Sequence, residues 1–466
     1  MSDGLEVSEL KLSEALRDNE DFRIDSEYFK KINLKSLKQI ERLDFKYVNN
    51  FASVTDGIHE SVDYCSNSGI NLISATSPRE NLFDLSANAQ ICEEQHMRNP
   101  RTALRVGDVV VSSVGTIGNC ATVNETILPA NSDRHVGIIR ISRDFRPHYL
   151  STFLVGKYGR FQTIREATGN VQLNLFIYRI RKLKVPKLSF DFQTRIESAV
   201  QDGRRTFEES NALFAEAETF LLSELGFTHW LPTEENVAVK GFSQSFASSG
   251  RLDAEYYHPE KQQILDWLTG LRGKSIGDHF TSVYDVLNPV AANPKESVCN
   301  YDLDDALPFY LTPKESTPVY ELGSTKKRFK QGDVLISRLR SYLREIAVAD
   351  LPEIENCVGS SEFIVLRPKN AAIPPELLLV YLRSIPVQRI LRWCQSGSNH
   401  PRFMEQDLLS IKLPDKLLAA QTKIQQAVRK GISVGRESQR LLDAAKRAVE
   451  IAIEQNEEAA FKWLEQ

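Results

Sequence analysis

Two long stretches of this 466-residue chain carry apolar or small residues at steps that alternate between three and four. They cover 192–221 and 420–452. Such steps form the heptad seam of a coiled coil. We therefore predict long helices at 189–226 and 416–466, paired with each other. The predicted seam includes Ile196, Ala199, Gly203, Ile424, Ala427 and Gly431.

Glycine at a seam position indicates that two backbones approach each other closely, because glycine costs a helix about 1 kcal/mol relative to alanine. Gly203 and Gly431 occupy equivalent places in the two stretches. Ordinary packing of each helix on its own domain is the alternative explanation of the pattern. Matched seams in both stretches favour pairing of the helices.

Short runs rich in Val and Ile precede each long helix and predict β-strands. These runs are 108–113, 137–141, 333–337 and 363–366. A helical stretch follows Pro147 in the first half and Pro375 in the second. The fold class predicted is α+β, with two tandem mixed α/β domains at 23–188 and 251–415.

The two halves are copies of one another. Segment 23–29 recurs as 251–257 and 193–200 recurs as 421–428, both at an offset of 228 residues. An acidic leader, 1–22, precedes the first copy, and a linker rich in Ser and Gly, 227–250, joins the two. Antiparallel pairing of the helices would give a pseudo-twofold arrangement.

Composition sets the class of protein but not its chemistry. Apolar residues make up 41% and charged residues 26%, values typical of soluble globular proteins. The net charge of −4 excludes a uniformly basic nucleic-acid binder. A signal peptide and an apolar run of about 20 residues are both missing, which predicts a cytoplasmic protein without a membrane partner. Six dispersed cysteines without a C-x-x-C pair predict buried free thiols.

Basic residues are concentrated in two runs. Segment 157–187 has eight basic residues and one acidic residue, and 326–344 has seven and one. Such segregation is typical of a face that meets phosphate, although a solvated charged face is the alternative.

Base reading requires forked side chains, Arg on guanine and Asn or Gln on adenine. Polar loops at 168–174 and 396–402 supply these residue types, the second beside Arg338, Arg340 and Tyr342. Capping of the loops' own backbone is the alternative role. The candidate DNA contacts are Asn170, Gln172, Asn174, Arg179, Arg181, Lys182, Lys326, Lys327, Arg328, Arg338, Arg340, Tyr342, Asn399, His400 and Arg402.

Motifs for catalysis are missing from the sequence. It contains no Asn/Asp-Pro-Pro-aromatic tetrad of an amino-methyltransferase, no phosphate-binding G-x-x-x-x-G-K-[ST] loop and no H-E-x-x-H pair. We therefore predict no catalytic residue and no metal site. His135 and His148 are predicted to be structural or surface residues.

A repeated motif resembles the specificity subunit of type I restriction-modification systems. In the first copy it consists of Thr168-Gly-Asn-Val-Gln-Leu-Asn174, Leu183-Lys-Val-Pro186 and Gln193-Thr-Arg-Ile196. The resemblance extends over nearly the whole chain from Arg23. Phe192 and Ala420 stand where that family usually has Glu, and 396–402 lacks the usual Gln.

The resemblance implies a non-catalytic subunit in which two target-recognition domains each read half of a split site in double-stranded DNA. It implies that the long helices act as a spacer and dock two modification (methyltransferase) subunits, and that a restriction (motor-nuclease) subunit joins for cleavage. S-adenosylmethionine, ATP and magnesium would belong to those partners, with no cofactor in this chain. Three alternatives remain open: a type IIB-like specificity subunit, a coiled-coil adaptor without DNA affinity, and an unrecognised metal-dependent nuclease.

Overall fold

The computed structural model describes residues 8–16, 19, 21–85, 88–169, 172–351, 356–370 and 373–465. The chain divides into two compact units. Unit 1 comprises Met1–Phe207 and Glu437–Gln466, and unit 2 comprises Glu208–Arg436.

The first repeat contains helices and strands in alternation. Its helices are α1 (Leu12–Ala15), α2 (Lys31–Ile40), α3 (Val48–Phe51), α4 (Glu93–Arg98), α5 (Pro147–Val155), α6 (Lys157–Glu166), α7 (Ile177–Ile180) and α8 (Phe190–Leu225). Its strands are β1 (Phe45–Tyr47), β2 (Ala52–Asp56), β3 (Asn71–Ile73), β4 (Ala89–Gln90), β5 (Val109–Ser112), β6 (Cys120–Thr122), β7 (Ala130–Ser132), β8 (Val136–Ile141) and β9 (Lys184–Pro186).

The second repeat begins and ends in the same order and differs in the strands between. Its helices are α9 (Phe246–Ser249), α10 (Pro259–Gly270), α11 (Ile276–His279), α12 (Pro375–Arg383), α13 (Ile385–Cys394), α14 (Glu405–Ser410), α15 (Asp415–Glu454) and α16 (Glu457–Leu464). Its strands are β10 (Gly273–Ser275), β11 (Phe280–Ser282), β12 (Val286–Leu287), β13 (Ser297–Tyr301), β14 (Thr317–Pro318), β15 (Lys326–Arg328), β16 (Val334–Ser337), β17 (Ile346–Val348), β18 (Cys357–Ser360), β19 (Phe363–Pro368) and β20 (Lys412–Pro414).

Unit 1 is built on an antiparallel sheet of order β2-β8-β5-β6. Alternate residues of β5 enter different clusters, Val109 and Val111 on one face and Val110 on the other. Burial of both faces explains why this strand is continuously apolar. A second sheet, β4-β3-β7, includes the parallel pair β3 and β7.

Unit 2 has a matching antiparallel sheet of order β11-β19-β16-β17. Val334 and Ile336 enter one cluster and Leu335 another, as in the equivalent strand of unit 1. The second sheet has the order β12-β15-β18-β13-β14. The predicted mixed α/β class and the four predicted strands are confirmed.

The two long helices are also confirmed, with one correction. Helix α8 agrees with the predicted 189–226. The predicted 416–466 contains two helices, because α15 ends at Glu454 and α16 begins at Glu457. The side chain of Asn456 causes the break, since its oxygen accepts from the backbone N–H of Ala459 at 2.9 Å and caps the new helix.

Within unit 1, the first part of α8 packs antiparallel on the last part of α15. The hydroxyl of Ser438 donates to the carbonyl oxygen of Gly203 at 2.6 Å. A Cβ atom at Gly203 would lie 3.0 Å from the side chain of Leu442. Close approach at this glycine is thus confirmed. Ile196 is fully buried, whereas Ala199 is only half-buried and its neighbour Val200 fills the core.

Within unit 2, the last part of α8 packs antiparallel on the first part of α15. The hydroxyl of Ser210 donates to the carbonyl oxygen of Gly431 at 2.8 Å. A Cβ atom at Gly431 would lie 3.3 Å from the carbonyl oxygen of Ser210. Ile424 is buried, while Ala427 is half-buried beside the buried Val428. Antiparallel pairing is therefore confirmed inside each unit.

The cysteine prediction is wrong at two positions. Cys65 and Cys92 form a disulfide, with their Cα atoms 5.0 Å apart. An antiparallel bridge between Tyr64 and Ile91 aligns the two segments, whose cysteines are 27 positions apart in the sequence. The free cysteines Cys120, Cys357 and Cys394 are buried, and Cys299 is half-buried.

The predicted linker begins inside the core of unit 2. Its first residue, Phe227, is buried there, and the ring of Trp230 stacks on it with the ring centroids 4.7 Å apart.

Among the described residues, no helix combines the length and apolar character needed to cross a membrane.

Candidate DNA interface

In unit 2, segments 338–344 and 396–402 lie side by side, as predicted. We call them the second loop pair. The backbone N–H of Phe403 donates to the carbonyl oxygen of Arg338 at 3.2 Å. The N–H of Arg340 donates to the carbonyl oxygen of Pro401 at 2.9 Å. Main-chain hydrogen bonds thus hold the two loops in one surface.

The carboxylate of Glu362 orients two arginines of this surface. Arg402 donates to it from Nε at 3.0 Å and from Nη2 at 2.7 Å, and Arg338 donates from Nε at 2.9 Å. Hydrogen bonds from Arg402, and then from Arg338, lower the pKa of Glu362 to about 2, against the opposing effect of burial. The carboxylate is therefore ionised at neutral pH and fixes the direction of both guanidinium groups.

The remaining candidates of the second loop pair are accessible to a ligand. Tyr342 is 60% exposed. Asn399 and His400 are exposed, and Nη2 of Arg340 donates to the carbonyl oxygen of Asn399 at 3.1 Å and lies 3.2 Å from Nδ1 of His400. With Arg338 and Arg402, six side chains with base-reading or phosphate-binding chemistry therefore share one surface.

Lys327, in strand β15, lies at the border of this surface. Its Nζ lies 5.6 Å from the ring centroid of Tyr284, whose hydroxyl donates to Glu405 at 2.6 Å. Burial lowers the pKa of Lys327, and the charges of Glu405, Arg338 and Glu362 act on it as well. Lys327 therefore extends the basic surface of the second loop pair.

The two neighbours of Lys327 are paired with carboxylates. Lys326 is buried, with its Nζ 3.2 Å from Asp302. Arg328 is half-buried and lies 3.3 Å from Glu296. Their charges are neutralised locally, so of Lys326, Lys327 and Arg328 only Lys327 is kept in the proposed interface.

Unit 1 contains an equivalent first loop pair, segments 113–118 and 168–174. The N–H of Leu175 donates to the carbonyl oxygen of Ser113 at 2.8 Å. Thr168 and Asn174 exchange backbone hydrogen bonds of 2.9 and 2.7 Å. Arg160 supports the first segment from α6, donating to the carbonyl oxygen of Ile117 at 2.8 Å.

The polar candidates of the first loop pair differ in their availability. Asn170 lies outside the described residues. The side-chain amide of Asn174 donates to the carbonyl oxygen of Gln172 at 3.1 Å, which is the backbone-capping role considered as the alternative. Gln172 itself is exposed and remains a candidate base contact.

Of the three basic candidates in unit 1, one is internal. Arg179 is buried and bonds to Glu166 at 2.9 Å and Asp21 at 2.6 Å, so it is not kept as a DNA contact. Arg181 is exposed and donates through Nη2 to the carbonyl oxygen of Val54 at 2.8 Å. Lys182 is half-buried, with Nζ 5.7 Å from the ring of Tyr178.

The chain is similar to three solved structures. The S subunit of the type I restriction-modification system from M. genitalium has 11% identity and a TM-score of 0.36, covering 91% of this chain and 96% of that one. The HsdS subunit from Thermoanaerobacter tengcongensis has 16% identity and a TM-score of 0.27, covering 87% and 96%. A structure concerning complex assembly of the type I R-M system has 16% identity and a TM-score of 0.28, covering 86% and 97%.

All three TM-scores lie below 0.5, and these similarities assign no role to a residue of this chain. No sequence profile of a protein family matches the chain. No curated protein matches it by sequence either.

Several residues of the candidate interface were missed by the sequence-based prediction. Glu362 contacts Arg338, and Tyr284 contacts Lys327, but both lie outside the basic run 326–344. Phe176 and Tyr178 are 51% and 43% exposed, with ring centroids 6.0 Å apart beside the first loop pair. The last two had a signal, because aromatic residues interleaved with a basic run are typical of nucleic-acid contacts.

His148 is buried, with Nδ1 3.2 Å from Glu197, which is the structural position predicted. Within the described ranges, no group of three or more His, Cys, Asp or Glu side chains could hold a metal ion.

Proposed function

We propose that this chain is the sequence-specific DNA-binding subunit of a type I restriction-modification complex. Each loop pair reads one half of a bipartite target in double-stranded DNA. The chain directs methyltransferase and restriction subunits to that target, and those subunits supply the chemistry with S-adenosylmethionine, ATP and magnesium.

One observation carries the proposal: the two loop pairs share a backbone arrangement but not their side chains. The hydrogen bond from Leu175 to Ser113 in unit 1 is equivalent to that from Phe403 to Arg338 in unit 2. At equivalent places, Asn174 is replaced by Arg402. A constant frame that presents different polar groups is what two readers of different half-sites require.

The chemistry of the second loop pair suits a DNA groove. Glu362 occupies Nε and Nη2 of Arg402 and Nε of Arg338, so it holds both guanidinium groups in one direction, and their remaining N–H donors suit phosphate or base contacts. Tyr342 is exposed beside them, and Lys327 adds positive charge at the border. Contacts of this kind combine phosphate positioning with base reading.

Genome-wide adenine methylation tests the proposal. We compare cells that carry the full chain and its neighbouring methyltransferase with cells that lack only this chain. The expected result is a split motif of two short half-sites around a constant gap, lost when the chain is deleted. Unchanged methylation would contradict the proposal.

A matched pair of variants ties the result to the loops. Arg338→Ala with Arg402→Ala should abolish methylation of the motif or relax it in one half-site. Arg195→Ala with Arg205→Ala, at two exposed positions of α8, removes the same number of positive charges outside the loops and should leave the motif unchanged. Equal effects of the two would indicate a general charge effect instead of recognition by the loop pair.

A further inference from the structure

The second loop pair contains two arginines in a backbone conformation that favours glycine. Arg340 has φ of +48° and Arg344 has φ of +53°. Residues with a side chain rarely adopt this left-handed region, because Cβ then crowds the backbone.

The first loop pair has glycines at the equivalent places. Gly115 has φ of +72° and Gly118 has φ of +79°. The equivalence follows from the strand ends, because the bond from Ser112 N–H to the Asn119 carbonyl (2.8 Å) matches that from Ser337 to Glu345 (3.0 Å). Counted from the two ends of the turn, which is one residue longer in unit 2, arginine stands at the two positions where unit 1 has glycine, the residue that fits without strain.

Two buried polar atoms in the same turn are a second unfavourable feature, besides the strained backbone of Arg340 and Arg344. Among the described residues, Ser341 Oγ and Glu345 Oε2 are buried without a hydrogen-bond partner. Unsatisfied buried groups destabilise a fold, and strained backbone persists mainly at functional sites. Stability of the fold therefore does not explain the composition of this turn.

The two left-handed positions face different surroundings. A Cβ atom at Gly115 would have nothing within 4 Å, whereas one at Gly118 would lie 2.5 Å from Oγ1 of Thr163. The unit 2 side chains agree with this difference. Arg340 contacts the exposed Asn399 and His400, while the charge of Arg344 acts on the carboxyl of Glu218 in α8.

We propose that Arg340 is the specificity-determining residue of the second loop pair and reads a guanine in its half-site. The inference rests on the proposed function and deepens it. Both bonds, to Asn399 and to His400, are made by Nη2 and anchor the guanidinium, while the two N–H groups of Nη1 remain for guanine, whose O6 and N7 both accept. A phosphate needs only a positive charge, which Lys327 and Arg338 already bring to this surface.

The first loop pair lacks this reader, because Gly115 offers no side chain at the equivalent place. Guanine recognition of this kind therefore belongs to one half-site only. The two halves of the target should accordingly respond differently to substitutions in the turn 340–344.

The test uses the full chain with its methyltransferase, and it combines a genome-wide methylation map with thermal unfolding of the chain. Arg340→Gln removes the guanidinium and offers an amide, which pairs with adenine instead of guanine. We expect discrimination at one guanine of one half-site to fall by about 5- to 150-fold, as for loss of a bidentate pair. The other half-site should not change.

Two glycine variants separate recognition from strain. Arg340→Gly should relax the same guanine while the unfolding temperature stays equal to that of wild type or rises. Arg344→Gly relieves the same kind of strain at the inward-facing position and should leave the motif unchanged.

Several outcomes overturn the inference. An unchanged motif in Arg340→Gln would make Arg340 a phosphate or structural contact. Relaxation at a base other than guanine, or in both half-sites, would also contradict the assignment. A clear loss of thermal stability in Arg340→Gly would show that the fold needs the arginine. If the wild-type chain directs no split motif, the proposed function fails and this inference fails with it, whereas the first three results overturn the inference alone.

Discussion

At the scale of single residues, Glu362 organises the candidate interface of unit 2. It is one carboxylate shared by two guanidinium groups, and its contacts come from both segments of the second loop pair. An arginine without such a partner samples many directions, at a cost in conformational entropy when it binds. The acidic residue therefore favours specificity, although it lowers the positive charge of the surface.

Replacement of Glu362 by glutamine tests this role. Glu362→Gln keeps the shape, removes one negative charge and releases both arginines. We expect non-specific DNA affinity to rise, the salt dependence of binding to steepen by about one ion, and discrimination between target and non-target DNA to fall.

The matched control is Glu296→Gln, which removes the same charge beside Arg328. Salt-dependent binding of the full chain to target and non-target duplexes measures both variants. If discrimination falls equally in the two, orientation of the arginines by Glu362 is not the cause.

The pH dependence follows from the lowered pKa of Glu362. The ordinary value is 4.5 and the folded value is about 2. A depressed carboxyl pKa contributes stability that is complete above about pH 4.5 and is lost as the pH falls towards 2. The arrangement of Arg338 and Arg402 should thus persist from pH 6 to 8, and a change in target discrimination across that range in the His400→Gln variant, which lacks the nearby imidazole, would contradict it.

At the scale of elements, the long helices are joined through small residues. Ser438 with Gly203, and Ser210 with Gly431, are the same contact at an offset of 228 residues, once in each unit. Small side chains let the backbones approach, and each serine then satisfies its hydroxyl on the facing carbonyl.

Loss of either hydroxyl should weaken its unit. Ser438→Ala and Ser210→Ala are each expected to lower the free energy of unfolding by about 1 kcal/mol, the net contribution of a buried hydrogen bond. Ser433→Ala, at an exposed position of α15, should have little effect. Denaturant unfolding measures all three, and a Ser433 effect as large as the others would remove the argument for the buried contact.

At the scale of the whole molecule, each long helix contributes one part to unit 1 and another to unit 2. This continuity is the basis of the prediction that the helices set the gap between half-sites. One heptad corresponds to about 10 Å of helix, or about three base pairs of DNA.

Deletion of one heptad tests the spacer prediction. Removing 211–217 from α8 and the facing 424–430 from α15 keeps the seam in register, because the deleted segments lie between the contacts Ser210–Gly431 and Phe220–Lys423. We expect the gap of the methylated motif to change by about three base pairs. An unchanged gap, measured in the same methylation assay, would show that the helices do not act as a spacer.

The sequence by itself determined the repeat, the long helices and the positions where those helices approach, because periodic burial leaves a periodic pattern and a duplicated unit keeps a constant offset. Tertiary structure decided which charged residues are available. Arg179 and Arg181 belong to one basic run, yet the first is buried against Glu166 and the second is exposed. Contacts between distant segments, such as Glu362 with Arg402 or Cys65 with Cys92, depend on how strands and loops meet in space, and no local pattern records that.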